Sequence, residues 1–150
     1  MNGQVVEAID ILLVEDNPGD ARLVRELLHA DERGYHIHTV ANGEEAMAFL
    51  YRQGDHRDAP RPDLILLDLN LPLVGGHDTL ALIKKDPELL SIPVVVLTSS
   101  DAPSDITRIY QRHANAYLIK PTGLDHFATL MKAVEDFWLK AARLPSKMPR

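Results

Sequence analysis

The stretch Pro62–Pro72 reads PDLILLDLNLP, and it decides the fold. Leu64–Leu67 form an unbroken apolar run that meets a carboxylate at Asp68. An apolar run this short is typical of a strand buried on both faces. Asn70 and Pro72 follow at once, which indicates that the chain turns directly after the strand. The acid therefore either caps the turn or is displayed as a reactive group.

The same pattern, a short apolar segment followed by a segment of helical periodicity, repeats along the whole chain. The other predicted strands are Ile9–Val14, Tyr35–Val40, Pro93–Ser100 and Ala116–Pro121. The predicted helices are residues 17–30, residues 42–54, His77–Lys85, Ser104–Ala114 and Leu124 to about Ala142. Alternating strands and helices predict a parallel sheet with helices on both faces. We expect one domain at residues 9–142, a short extension at residues 1–8 and a loose tail at residues 143–150.

Length and composition limit the classes of protein to consider. The chain has 150 residues, 45% apolar and 25% charged, which is typical of one globular domain. A net charge of −6 disfavours a nucleic-acid surface, and the lack of cysteine excludes disulfides and thiolate metal sites. The sequence has no run of roughly 20 apolar residues and no signal-peptide pattern, so we expect a cytoplasmic protein that does not enter a membrane.

Polar residues stand at the carboxyl ends of the predicted strands. They are Glu15, Asp16, Asp68, Thr98, Ser99 and Lys120. Because parallel strands all point the same way, these side chains share one edge of the sheet, where open α/β folds bind ligands. Each type alone has an ordinary explanation. A strand-end aspartate is often a turn cap, a threonine often bonds local backbone, and a lysine is usually a solvated charge.

Taken together, these residues have a single chemical explanation. Three carboxylates at one point repel one another, and a divalent cation relieves the repulsion. Mg²⁺ prefers hard oxygen ligands and needs only one or two carboxylates. With the ammonium of Lys120 and the hydroxyl of Thr98, the set can hold the charge of a phosphoryl group in transfer. A carboxylate can be the nucleophile of such a transfer and become an aspartyl phosphate.

Four segments carry a resemblance to a known family: ILLVEDNPGDARL, DLILLDLNLP, VVVLTSS and YLIKP. Together they resemble the receiver domain of bacterial two-component response regulators, and the resemblance runs from Ile9 to Leu139. It implies a flavodoxin-like (βα)5 fold, a three-layer α/β sandwich whose parallel sheet has the strand order 2-1-3-4-5. This order is a known example of the doubly wound folds.

The resemblance also implies a role for each strand-end residue. Asp68 is the expected phosphoacceptor. The expected Mg²⁺ ligands are Asp16, Asp68 and the backbone carbonyl of Asn70, with Glu15 bound through a water. Thr98 and Lys120 are expected to hold the phosphoryl oxygens, helped by backbone N–H groups near Asn70 and Ser99. Tyr117 takes the place of the aromatic switch residue that responds to movement of Thr98, and Lys120–Pro121 matches a cis peptide.

The implied function is a phosphorylation switch rather than a conventional enzyme. A sensor histidine kinase is the expected phosphoryl donor, with weak self-phosphorylation and autodephosphorylation. The sequence shows no DNA-binding or catalytic output domain, so we expect a single-domain regulator that acts through protein contacts. The run VEDFWL at Val134–Leu139 is similar to receivers that partner phytochrome-type kinases, such as bacteriophytochromes.

The last predicted helix carries an unusually wide apolar stripe. Placed at about 100° per residue, it consists of Leu124, Phe127, Met131, Val134, Trp138 and Ala141. Leu130 and Phe137 widen it on one side. The stripe either covers the sheet or also forms a homodimer, through the fourth predicted helix, the fifth strand and the fifth predicted helix.

Other interpretations remain open from the sequence. Asp68-Leu69-Asn70 superficially resembles the opening motif of haloacid-dehalogenase phosphatases, although that family needs an acid where Asn70 stands. A degenerate receiver that acts as a constitutive adaptor is a second alternative. No glycine-rich nucleotide loop is present. The seven histidines are scattered, and His36 and His38 share a strand face with no third metal ligand visible.

Overall fold

The computed structural model describes residues 8–145. Five strands form one parallel sheet in the order β2-β1-β3-β4-β5, which confirms the predicted topology. Their bounds are β1 Ile9–Val14, β2 Tyr35–Val40, β3 Leu64–Leu67, β4 Val94–Thr98 and β5 Ala116–Ile119. All four strand pairs are parallel. The carboxyl ends of all five strands therefore meet at one edge.

Within residues 8–145, six α-helices connect and flank the strands. Their bounds are α1 Pro18–Leu27, α2 Ala30–Arg33, α3 Gly43–Leu50, α4 Gly76–Lys85, α5 Pro103–Gln111 and α6 Leu124–Val134. A 3₁₀ turn at Gly54–His56 follows α3. Because α2 is an extra element, the predicted fourth and fifth helices correspond to α5 and α6. Among residues 8–145, no helix is long and apolar enough to cross a bilayer.

Alternate residues of the strands build two separate cores, one on each face of the sheet. On one face, Ile11 and Leu66 pack with side chains of α1 and α6, including Val24 and Met131. The other face packs against α3, α4 and α5. In β3, Leu64–Leu67 are all fully buried, which confirms that this strand is covered on both faces. The result is a three-layer sandwich with Asp68 fixed at the end of its central strand.

The segment between β1 and β2 differs from prediction. One helix was expected over residues 17–30, but α1 ends at Leu27 and the short α2 begins at Ala30. His29 separates them in a left-handed conformation, with φ of 52°. An α-helix cannot continue through a positive φ, so the chain restarts as a second helix.

The end of the last helix also differs from the expected stripe. After α6 the chain continues as a π-helical segment, Glu135–Ala141, so helical structure reaches close to the predicted end. A π-helix holds more residues per turn, and its side chains lose the 100° spacing on which the stripe was built. Leu139 is therefore buried, whereas the stripe predicted that Trp138 and Ala141 would be the apolar residues of this segment. Trp138 is half-buried and Ala141 is exposed.

Two further expectations concern the backbone and the chain ends. No described peptide bond is cis, so Lys120–Pro121 is trans, contrary to the expected cis bond. An X–Pro bond prefers trans by only about 0.5–1 kcal/mol, so the dipeptide alone does not dictate its isomer. The expected extension and tail lie mostly in residues 1–7 and 146–150, outside the described residues.

Candidate phosphoryl-transfer site

Backbone hydrogen bonds bring the strand-end residues side by side. The N–H of Asp68 donates to the carbonyl of Val14 at 3.1 Å, which aligns Asp68 with the end of β1. The N–H of Lys120 donates to the carbonyl of Thr98 at 2.8 Å, which aligns the ends of β4 and β5. Parallel pairing is thus extended one residue beyond each strand, and the predicted site residues share one edge.

Three carboxylates of this edge form a compact group. One oxygen each of Glu15, Asp16 and Asp68 lies within 4.8 Å of the other two. Glu15 and Asp68 are buried, whereas Asp16 is exposed. A set of carboxylate oxygens open to solvent on one side suits a hard divalent cation that keeps some of its water.

The ammonium of Lys120 lies among the carboxylates. Its Nζ donates to Glu15 Oε1, to Asp20 Oδ2 at 3.0 Å and to Asp68 Oδ2 at 3.3 Å. Only 9% of the Lys120 side chain is exposed, so these charge-assisted bonds replace its lost hydration. Burial opposes the charge, but the bonds to Glu15 and Asp20 outweigh it and raise the pKa of Lys120. Lys120 is a permanent cation at this edge.

The two buried acids are pushed in opposite directions. Burial raises the pKa of Glu15 to about 7, and Lys120 offsets this only in part. Burial also disfavours ionised Asp68, but Lys120 and the N–H of Asn70 outweigh it and hold the pKa of Asp68 below its ordinary value. Environments that separate the pKa values of neighbouring acids assign them different roles. Asp68 is the acid kept as a carboxylate.

Asp68 also takes part in the local turn. Its Oδ1 accepts a hydrogen bond from the N–H of Asn70 at 3.2 Å. The turn-cap explanation of a strand-end aspartate is therefore correct here, and it coexists with the pairing of Oδ2 to Lys120. The two oxygens of this carboxylate therefore have different partners. The hydrogen bond of Oδ1 to Asn70 orients Oδ2 toward Lys120.

The hydroxyl of Thr98 is the other notable group of the edge. Thr98 is fully buried at the end of β4, and within residues 8–145 its Oγ1 makes no hydrogen bond of full geometry, although it lies close enough to Asp68 to help lower the pKa of that acid. A buried hydroxyl without a partner has a cost, and such groups are frequent where a ligand completes the bonding. Ser99, the next residue, is exposed.

Tyr117 is attached to the loop that follows Thr98. Its hydroxyl donates to the carbonyl of Ser100 at 2.8 Å, and its ring is half-buried. Its backbone N–H donates to the hydroxyl of Tyr110 on α5, at 3.2 Å. The position of the Tyr117 side chain is therefore coupled to that of the β4–α5 loop.

Sequence reasoning missed Asp20 and the group around Asp105. Asp20 lies in the first turn of α1, where its backbone N–H is capped by Asn17 Oδ1 at 3.0 Å. An acid in the first turn of a helix is common because it complements the helix dipole, so Asp20 gave no sequence signal of a role at this edge. Asp105 contacts Ser100 and His77, and no local pattern announces contacts between separate helices.

The paired histidines do have an acidic neighbour. Asp10 Oδ1 lies 3.1 Å from His38 Nε2 and 3.4 Å from His36 Nδ1, at the opposite edge of the sheet. Within residues 8–145, however, the only group of three such ligands with all atoms within 4.8 Å is the three-carboxylate group. The histidine pair is therefore not arranged as a metal site.

The fold and this edge define a class of protein, and comparison with known families agrees. Residues 11–134 match the model of the response regulator receiver domain. The chain belongs to this family, and the resemblance deduced from its motifs is confirmed. In haloacid-dehalogenase phosphatases the corresponding motif lies on the first strand, whereas Asp68 follows the third.

Among its relatives are response regulators of phytochromes. Rcp1 of Synechocystis sp. is 45% identical over 136 residues, covering 91% of this chain and 92% of Rcp1. The crystal structure of the phosphorylated cyanobacterial phytochrome response regulator RcpA has a TM-score of 0.89 and 46% identity, covering 93% of this chain and 99% of RcpA. The Mn²⁺-bound form of Rcp1 has a TM-score of 0.86 and 44% identity, over 91% and 99%. The chain is thus a receiver-domain response regulator related to phytochrome response regulators.

Proposed function

We propose that Asp68 accepts a phosphoryl group from a phosphohistidine of a sensor histidine kinase. One observation carries the assignment: Asp68 is the buried acid kept ionised, with Oδ2 3.3 Å from Lys120 Nζ and beside the buried hydroxyl of Thr98. An ionised carboxylate is a nucleophile, and the two neighbours can bind the incoming oxygens.

In the proposed transfer, a carboxylate oxygen of Asp68 forms a bond to phosphorus as the bond between phosphorus and the donor imidazole breaks. The electron pair of the broken bond stays on the imidazole nitrogen. Lys120 offsets negative charge on the phosphoryl oxygens, and the Thr98 hydroxyl donates to one of them. Backbone N–H groups near Asn70 and Ser99 would donate to the others.

The acidic edge fits Mg²⁺ as the cofactor. Asp16, Asp68 and the backbone carbonyl of Asn70 would bind it directly, and Glu15 through a water. The compact group of three carboxylate oxygens supports this choice. When bound, the ion supplies positive charge to the phosphoryl oxygens. Rcp1, which has a Mn²⁺-bound form, provides a related example.

The output is a change in protein contacts. Thr98 moves toward the phosphoryl group to which its hydroxyl donates, and the loop after Thr98 moves with it. Tyr117 follows, because its hydroxyl is bonded to Ser100 in that loop. The local charge of the phosphoryl group thereby biases a two-state element. Slow hydrolysis, in which water attacks phosphorus and restores the Asp68 carboxylate, resets the switch.

We infer a phytochrome-type kinase as the partner, since the relatives Rcp1 and RcpA include a phytochrome response regulator. Sensor kinases use cytoplasmic ATP, so the proposed location is the cytoplasm. The net charge of −6 and the absence of a long apolar helix in residues 8–145 agree with a partner that is neither nucleic acid nor membrane.

A homodimer through α5, β5 and α6 is the second part of the proposal. This face leaves four large apolar or aromatic side chains exposed: Tyr110, Ile119, Leu124 and Phe137. It also carries Tyr117, so the geometry of a symmetric dimer would respond to the switch. A specific pairing of two copies should bury more than about 1,000 Å² in total.

The test of the phosphoacceptor is direct. We expect a small phosphodonor with Mg²⁺ to add one phosphoryl mass to the wild type, measured by intact mass spectrometry. Asp68→Asn should not be labelled, because an amide oxygen is a poor nucleophile. Asp58→Asn is the matched control, since Asp58 is an exposed loop residue away from the edge. Labelling of Asp68→Asn at the wild-type rate would refute the assignment.

A further inference from the structure

The carboxylate of Asp105 connects the β4–α5 loop to α4, the helix that follows the loop after Asp68. Asp105, in the first turn of α5, accepts a hydrogen bond from Ser100 Oγ at its Oδ2, at 2.6 Å. Its other oxygen, Oδ1, lies 3.2 Å from His77 Nε2, in the first turn of α4. Asp105 therefore bridges two segments that both flank Asp68.

His77 is a firm anchor for this bridge. Its carbonyl accepts a hydrogen bond from Arg112 Nη1 at 2.9 Å, so both ends of α5 contact the start of α4. In the described residues, His77 Nδ1 is buried and has no hydrogen-bond partner. An ionised carboxylate can only accept a hydrogen bond, so the Nε2 that faces Asp105 is the nitrogen that donates.

The segment before α4 is equally constrained. Gly76 directly precedes His77, and a Cβ at Gly76 would lie 2.3 Å from the carbonyl oxygen of Asp68. No side chain separates the start of α4 from the backbone of Asp68. The position of His77 is thus tied to that of Asp68, and Asp105 extends the connection to Ser100.

Ser100 is held at three points. Its hydroxyl donates to Asp105 and accepts the N–H of Ala102 at 3.4 Å, and its carbonyl accepts the hydroxyl of Tyr117 at 2.8 Å. Ser100 also lies two residues after Thr98, whose hydroxyl we propose to bind the phosphoryl group. The bond to Asp105 therefore engages the serine hydroxyl and restricts the residue whose carbonyl Tyr117 binds.

We propose that Asp105 is a positioning residue of the switch. By holding Ser100 in place, Asp105 determines the position of the Tyr117 hydroxyl and limits the access of water to phosphorylated Asp68. The inference rests on the proposed phosphoacceptor function. In hydrolysis, a water oxygen bonds to phosphorus, the bond from phosphorus to Asp68 breaks with its electron pair returning to the carboxylate, and the water's proton is released. A loose Ser100 opens the loop to that water.

The first test measures the lifetime of the phosphoryl group. Wild-type protein and variants are labelled with a small phosphodonor and Mg²⁺, the donor is removed, and decay is followed by intact mass. We expect Asp105→Ala to shorten the lifetime at least about threefold, since a hydrogen bond to a charged group is stronger than a neutral one. Asp101→Ala is the control, because Asp101 is exposed in the same loop and makes none of these bonds.

A double-mutant cycle separates positioning from general loosening. If Asp105 acts through the hydroxyl of Ser100, its removal should have little effect in a Ser100→Ala background. Equal fold-changes in both backgrounds would overturn that route. Asp105→Asn keeps the side-chain volume and replaces Asp105→Ala if thermal unfolding shows the alanine variant to be unfolded.

A second readout needs neither Mg²⁺ nor a phosphoryl group. The NMR resonances of the Tyr117 ring should shift in Asp105→Ala and not in Asp101→Ala, because Ser100 carries the acceptor of the Tyr117 hydroxyl. Asp105→Ala that matches Asp101→Ala in either readout overturns the inference. A wild type that takes up no phosphoryl group refutes the phosphoacceptor function instead, and with it the part of this inference that concerns hydrolysis.

Discussion

Asp16 differs from the other two acids of the edge in being exposed, whereas Glu15 and Asp68 are buried. Both buried acids are paired with Lys120, since each accepts a hydrogen bond from its ammonium. No hydrogen bond or ion pair holds the Asp16 carboxylate within residues 8–145. Its charge is therefore the one that a bound cation can take at the smallest cost in broken bonds.

The corresponding prediction concerns Asp16→Ala. We expect weaker Mg²⁺ binding, measured by titration calorimetry, with the fold intact. Removing a like charge should also raise the free energy of unfolding of the metal-free protein by about 1 kcal/mol, the size of the repulsion between two solvated charges at about 4 Å. Asp58→Ala is the control. A less stable metal-free variant would contradict the clustered-acid model.

Tyr35 gives a prediction for pH. Burial, then the hydrogen bond of its hydroxyl to Glu135 at 2.8 Å, raises the pKa of Tyr35 from 10 to about 12. The folded state thus holds the phenolic proton more tightly than the unfolded state. Stabilisation by this group is complete below about pH 10 and is lost as pH rises toward 12.

Urea denaturation at several pH values checks this. The difference in free energy of unfolding between the wild type and Tyr35→Phe should be constant below pH 10 and should change, to the disadvantage of the wild type, between pH 10 and 12. Taking the difference removes the titration of other groups. A difference that does not change across this window would show that the tyrosine is not responsible.

At the scale of elements, α4 packs its first residue directly on the strand-end backbone. A Cβ at Gly76 would lie 2.3 Å from the Asp68 carbonyl oxygen and 2.5 Å from the Cα of Leu69, and backbone cannot yield as a flexible side chain does. A Cβ at the preceding Gly75 would meet nothing within 4 Å. Gly75 and Gly76 thus differ in the space that they leave for a side chain. Gly75 stands where the family often has an acid before its glycine.

We therefore expect Gly76→Ala to lower the free energy of unfolding by about 1–3 kcal/mol, the usual effect of forcing extra atoms into a packed site. Gly75→Ala is the matched control and should be neutral or stabilising by up to about 1 kcal/mol, because its φ of −72° suits alanine. Chemical denaturation of both variants measures the contrast. Equal stabilities would refute the close approach of α4.

The central strands were predictable because burial on two faces leaves an unmistakable apolar run, as in Leu64–Leu67, and β2 was predictable from its alternation. The helix irregularities were not. The break at His29 depends on a positive φ with no glycine or proline to announce it. The π-helical segment begins at Glu135, which is buried and bonded to Arg33 and Tyr35 from other elements. Its partners are about 100 residues away along the chain.

The candidate site divides in the same way. Residues that directly follow strands were predictable, since topology alone brings Asp16, Asp68 and Lys120 together. Asp20 and Asp105 sit on helices, and the turn of each helix relative to the sheet decides what they touch. That orientation comes from packing over the whole core, which no local sequence pattern encodes.

At the scale of the whole molecule, the face formed by α5, β5, α6 and the π-helical segment keeps large apolar side chains exposed to solvent. Leu124 and Phe137 are 60% and 57% exposed, on the side of α6 and the π-helical segment away from the sheet. The sequence predicted Phe137 at the margin of the stripe, and its exposure agrees. An exposed aromatic residue can be changed without disturbing the core, so Phe137 is a clean probe of assembly.

We expect Phe137→Glu to give a folded monomer that still accepts a phosphoryl group, because a charge buried in an apolar interface is left unpaired. Light scattering measures the mass, and circular dichroism checks the fold. Leu82→Glu is the control, since Leu82 is 47% exposed on α4, on another face. A wild type that is monomeric at micromolar concentration, phosphorylated or not, would rule out the dimer.

Trp138 is the only tryptophan of the chain, and its ring meets that of Phe137 edge to face, with centroids 5.1 Å apart. Trp138 lies in the π-helical segment after α6, near the end of the sheet opposite the acidic group. All indole fluorescence therefore originates beside the proposed assembly surface and far from the chemistry. The protein carries a built-in optical reporter: emission that shifts with protein concentration reports assembly, and emission that shifts on adding a phosphodonor at fixed concentration reports communication between the two ends of the molecule, with no dye attached.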